Sequence, residues 1–178
     1  MEQTKAIELE HRDMADVVLS DPARRVASII ELLRGDADRI VANWVLRVAN
    51  MPAFRAWPDL GLDQLKDAVP DLIDATMTAM STTEPERDLE PRARAVEIAA
   101  ELGRGRGRDG FPIGAVLAEF QTLREELRSA LSRVVGDDPA RYDVARNLEE
   151  QLIQTVDAAV IEAAEAWVDE AMNRARSG

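Results

Sequence analysis

Gly105, Gly107 and Gly110 are spaced as G-x-G-x-x-G, the spelling of a turn that cradles the pyrophosphate of a dinucleotide. That chemistry needs a strand before the glycines and a helix after them, so that backbone N–H groups point at the phosphate. The preceding residues, PRARAVEIAAEL, are rich in Ala and Glu, carry no β-branched run and read as a helix. No βαβ unit is present. The glycines therefore read as a helix C-cap at Gly103 or Gly105, a turn, and a new helix starting at Phe111-Pro112. A small anion near Arg104, Arg106 and Arg108 is the minor alternative.

Other reactive groups are sparse. His11 is the single histidine and there is no cysteine. A haem needs an axial ligand, and a carboxylate-bridged di-iron bundle needs Glu-x-x-His pairs on facing helices. Neither pattern occurs, so no cofactor and no metal site are expected. A Ser-His-Asp triad would have to recruit His11, and no G-x-S-x-G turn is available. Carboxylates abound toward the C-terminus: Glu149, Glu150, Glu162, Glu165, Asp169 and Glu170 interleave with an apolar stripe and read as a solvated helix face. Trp44 and Tyr142 are the candidate ligand-binding side chains. For Trp44 a place in the core is the competing reading.

The elements that must position these residues are helical throughout. Residues 1–20 form an N-terminal helix or mobile arm, with Ile7, Met14, Val17 and Val18 as its apolar members, and residues 21–178 form the bundle. Asp21-Pro22 is a helix start. Val26, Ile29, Ile30 and Leu33 share a face, Gly35-Asp36 interrupts, and Ile40, Val41, Trp44 and Val48 continue. A connector with Phe54 and Trp57 follows. The next helix, Leu62 to Met80, contains Pro70, which must kink it or mark a new start. A polar loop with Pro85 and Pro91 precedes a helix over 92–102. Pro112 opens another, and Gly136 ends it. The last helix, from Pro139 to about Arg174, has no glycine and no internal proline. The fold class is all-α, a single-domain bundle of five or six helices with a long C-terminal helix. A globin-like packing is one form of it.

With 22 basic and 34 acidic residues the net charge is −12, which repels a phosphate backbone and argues against nucleic acid as a partner. No run of about 18 apolar residues could span a membrane. The polar N-terminus is unlike a signal peptide, so a cytoplasmic location is expected. In the last helix Leu148, Leu152, Val156, Ala159, Ala163 and Trp167 step by four or three, farther than one small bundle requires. A homodimer is expected there, with Leu152, Val156, Ala159, Ala163 and Trp167 at its interface. The competing reading turns these residues to the chain's own core.

Four stretches together resemble a known family: DADRIVANWVLRV, LDQLKDAVPDLIDATMTAM, RDGFPIGAVLAEFQTLREEL and ARNLEEQLIQTVDAAVIEAAEAW. Their order is similar to the N-terminal sensor domain of RsbRD-type stressosome co-antagonists, over about residues 22–172. Similar domains precede some bacterial histidine kinases and transcription regulators. Trp44, Pro70, Arg108, Phe111, Glu119, Phe120 and Arg124 match by position. A His-Gly pair of the family pattern is replaced here by Leu102-Gly103. The resemblance implies a sensory or regulatory domain rather than an enzyme. It would detect a small molecule or a partner and pass the change along the last helix to a protein partner or output domain. The alternative is a small-molecule-binding helical protein with a carboxylate-based catalytic site. On this reading Gly103 to Gly110 is the joint between two helices, Arg108 ties it to a carboxylate such as Glu119, and Phe111 packs as a staple at the helix entrance.

Overall fold

The computed structural model describes residues 22–55, 68–82 and 89–177. The 1–20 arm with His11, the Asp21 cap, Trp57, residues 62–67 of the expected Leu62 to Met80 helix, and Pro85 lie outside these residues. Among the described residues there are seven helices and no strand: α1 Pro22–Gly35, α2 Ala37–Ala49, α3 Pro52–Arg55, α4 Val69–Ser81, α5 Leu89–Arg108, α6 Ile113–Val135 and α7 Pro139–Ser177. Six are longer than a single turn. This is an all-α, single-domain bundle with a long C-terminal helix.

Each break has a local cause. The α1–α2 run parts at Asp36, whose carboxylate accepts from Arg39 at 2.8 Å and from Arg133 near the end of α6 at 3.0 Å. Pro70 falls in the first turn of α4, where its missing N–H costs no helical bond, so it marks a start rather than a kink. Gly136 at φ 56° closes α6.

Three long helices make the frame. α5 and α7 run parallel and in close contact: Gly103 lies against Ala163, and Gly107 against Trp167 and Glu170. α6 runs antiparallel to α7, pinned by Arg124 to Asp157 at 2.6 Å and Arg128 to Glu149 at 2.7 Å. α1, α2 and α4 cover the remaining apolar face. The core includes Ile30, Ile40, Trp44, Met77, Phe120 and Leu152, each at most 2% exposed.

The glycine-rich segment is not a joint: α5 continues through Gly103, Gly105 and Gly107 to Arg108, and only Gly110 lies in the turn. The expected dimer stripe is also spent within the chain. Leu152, Val156, Ala159 and Ala163 are all at most 2% exposed and belong to the bundle's own core, while Trp167 packs against its edge. A helix packed on one side by α5 and α6 has no second apolar face left at those positions.

Candidate functional site

The turn between α5 and α6 builds the most unusual feature of the molecule. Gly110 has φ 78°, the left-handed conformation that glycine adopts without a Cβ clash. Its N–H donates to the Gly107 carbonyl at 3.2 Å, and the Phe111 N–H donates to the Arg106 carbonyl at 2.9 Å. This is the Schellman pair of bonds that satisfies the last carbonyls of a helix. Pro112 then holds Phe111 out of the α region and starts α6. The chain reverses within three residues, and the end of α5 comes beside the second turn of α6.

That reversal buries an ion pair. Arg106 Nε donates to Glu119 Oε1 at 3.0 Å, and Nη2 donates to Oε2 at 3.2 Å. The two side chains are 5% and 1% exposed. A fork-on-fork geometry of this kind offsets much of the large desolvation cost of two buried charges. Burial pushes the Glu119 carboxyl above its ordinary value, against the opposing pull of the Arg106 charge and its hydrogen bonds.

Four aromatic residues, from three helices and the turn, gather around the pair. The Arg106 guanidinium carbon lies 5.4 Å from the centre of the Phe111 ring, within cation–π reach. Phe54 of α3 stands 5.2 Å from Phe111, centroid to centroid. Trp44 of α2 donates its indole N–H to the Glu119 backbone carbonyl at 3.0 Å, and Trp167 of α7 donates its own to the Phe111 carbonyl at 2.9 Å. A chain of direct contacts thus runs from Trp44 through Glu119, Arg106 and Phe111 to Trp167. It spans α2, α6, α5, the turn and the C-terminal helix.

The glycines serve this junction. A Cβ on Gly103 would collide with the backbone of Ala163, and one on Gly107 would meet the Trp167 carbonyl and Glu170 Cβ at 3.1 Å. Gly103 and Gly107 sit one turn apart on the face that α7 crosses, so their missing side chains set how closely the two helices approach. Gly105, on the other side, has nothing within 4 Å of its would-be Cβ.

The sequence-derived site residues separate accordingly. Trp44, Phe111 and Glu119 come together, and Phe120 is buried beside them in α6. Arg108 is exposed and does not hold Glu119. Its backbone carbonyl accepts from Arg174 at 3.4 Å instead. Arg106 takes the role expected of Arg108, because it lies on the buried face of α5 and Arg108 does not. The signal was present: Ala95, Ala99, Leu102 and Arg106 step by four, three and four, which puts a cation at a core position in need of a partner. An anion site using Arg106 is excluded by the same geometry. Arg124 serves α7 through Asp157, and Pro70 is an exposed helix start. Trp44 is wholly buried with its N–H engaged. Tyr142 is half exposed and lines an open groove of about 680 Å³ with Arg47, Arg128, Arg146 and Glu149. Among the described residues no three His, Cys, Asp or Glu side chains are placed to hold a metal, and no helix is long and apolar enough to cross a membrane.

No curated protein and no solved structure matches the chain. The family described as the RsbT co-antagonist protein rsbRD N-terminal domain matches residues 38–178, from α2 through the end of α7 and including every residue of the buried junction. With most of its length matched, the chain belongs to that family of stressosome regulatory domains.

Proposed function

We propose that residues 21–178 act as one non-enzymatic sensory module of a stressosome-type pathway, working as a homodimer and with protein partners. A change in the bundle, set by a small molecule or a partner, is passed to the C-terminal helix through the Trp44–Glu119–Arg106–Phe111–Trp167 chain. One observation carries this reading: the Trp167 indole is hydrogen-bonded to the very turn that is anchored by the buried ion pair. α7 has 39 residues and is about 58 Å long. Its last residues, 172–177, are exposed, so this end of the helix lies at the surface, within reach of whatever receives the signal. The family description, a co-antagonist of RsbT, supports a protein as that receiver.

The catalytic alternative gains nothing from this core. Among the described residues Glu119 is the carboxylate whose pKa is raised, by burial, but both its oxygens are engaged by Arg106. A general acid or base needs a proton it can share with a substrate.

The chain has three tryptophans, and two of them end the proposed path. Their indole N–H resonances are separate reporters in a nitrogen-resolved NMR spectrum. Glu119→Gln should move the Trp167 indole signal as well as that of Trp44. A change confined to Trp44, with Trp167 unmoved, would break the proposed path at Arg106 or Phe111.

A further inference from the structure

The open groove that Tyr142 lines runs between α6 and α7 near their connecting turn, with Arg47 of α2 reaching in from the side. Its volume, about 680 Å³, suits a small ligand. Two of its arginines are already committed. Arg47 donates to Glu125 and to the buried Glu126, and Arg128 donates to Glu149. Every carboxylate lining the groove is therefore held by an arginine. Arg146 is different. Among the described residues its guanidinium has no hydrogen bond and no ion pair, and the hydroxyls of Tyr142, Ser129 and Ser132 have no partner either. Thr76, Thr78 and Thr122 return their hydroxyls to a carbonyl of their own helix, which these two serines do not. The groove thus presents one unpaired cation and three hydroxyls, with no carboxylate left to engage them.

We infer that this groove binds a small aromatic monocarboxylate. The inference rests on the sensory reading above and names the site and chemical class of its small molecule. The planar fork of Arg146 takes both oxygens of a carboxylate. Tyr142 precedes Arg146 by one turn on the same side of α7, so its half-exposed ring stands beside the guanidinium and offers a stacking face to the ring of the ligand. Leu131, Val135 and Ala145 supply apolar lining, and Ser129 and Ser132 donate from the facing helix. One unpaired guanidinium matches one negative charge, and a second would meet Glu125 and Glu149. The groove also has a connection to the core. Arg47 lies three residues beyond Trp44 on α2, the helix at which the proposed path begins.

Benzoate is the probe, titrated into the full chain at constant ionic strength and followed in the nitrogen-resolved NMR spectrum. Saturable shifts are expected at the amides of 129–132 and 142–146, together with a shift of the Trp44 indole. Arg146→Ala, at an exposed position, should weaken binding by about ten-fold or more with helicity unchanged. Benzamide, which keeps the ring and lacks the charge, should lose a similar factor. Tyr142→Ala should weaken binding by about two- to ten-fold through the lost ring. Shifts that never saturate, or that are matched at Arg104 and Arg108 at the other end of the bundle, mean an adventitious ion only and overturn the proposal. Undiminished binding by Arg146→Ala overturns it as well. Saturation at the groove with the Trp44 indole unmoved upholds the site and breaks its link to the path. No binding, with Glu119→Gln still moving the Trp167 indole, overturns the site and leaves the path standing.

Discussion

Gly103→Ala and Gly105→Ala, two residues apart in one helix, should shift stability in opposite directions. In an open helical position alanine is favoured over glycine by about 0.8–1.0 kcal/mol. Gly105 is such a position, with nothing within 4 Å of an added Cβ and no positive φ. Its alanine variant should gain up to that amount. At Gly103 the same methyl group meets the Ala163 carbonyl carbon at 2.8 Å and its Cα at 2.9 Å. The obstacle is backbone, which cannot swing aside as a side chain would. Ordinary contact is restored only if α5 and α7 part by about 1 Å, a gap that forfeits a quarter to a half of the dispersion energy along the seam. Overpacking of this kind costs about 1–3 kcal/mol. Set against the helical gain of about 1 kcal/mol, the Gly103 variant should lose about 1–2 kcal/mol at the upper part of that range. For a chain of this size each kcal/mol moves Tm by about 2–4 °C. Urea and thermal unfolding followed by circular dichroism read both variants. Equal stabilisation by the two alanines would refute the close crossing of α5 and α7.

Arg106→Met should destabilise by about 3–5 kcal/mol, because it leaves Glu119 buried and unpaired. The double variant Arg106→Met/Glu119→Leu should recover most of that loss in the same urea titration, and failure to recover would mean that packing rather than charge dominates the site. The pH dependence has a definite sign. With its folded pKa raised, the folded state takes up a proton at Glu119 more readily than the unfolded chain. The stability from this group is therefore full below the ordinary carboxyl pKa and is lost as pH rises through the raised value. Wild type should gain on Glu119→Gln as pH falls through that window, and a difference that shrinks instead would contradict the burial of this carboxyl. Arg104→Ala, at an exposed position next to the seam, should leave stability within about 0.5 kcal/mol of wild type.

The helices of the frame were legible because apolar period and stop signals coincide there. Pro112, Gly136 and Pro139 bound α6 and α7 where the sequence places them. The glycines misled for a physical reason. A glycine that ends a helix and one that admits a neighbouring helix look the same in one dimension, and the neighbour that decides is Ala163, sixty residues away. Arg106 was hidden in the same way. Its place on the α5 stripe was readable, but only once α5 is known to continue past Gly103. The stripe of Leu152, Val156, Ala159 and Ala163 has the same spacing whether it meets a second chain or the chain's own helices, and only the placement of α5 and α6 against it decides. Trp167 was visible as a large residue near the end of α7. Its bond to the Phe111 carbonyl depends on the turn at Gly110, and no local pattern encodes that.

The central claim is that the state of the core reaches the end of α7 through the buried junction. Hydrogen exchange of wild type and Trp44→Phe tests it most directly. The substitution removes the indole bond to the Glu119 carbonyl and keeps an aromatic ring in the core. The account predicts faster exchange of the α7 amides from Trp167 onward, together with those of the 109–111 turn, while the α7 segment near Leu152 is unchanged. Faster exchange confined to α2 and the adjoining turns of α6, with the end of α7 at its wild-type rate, would contradict it.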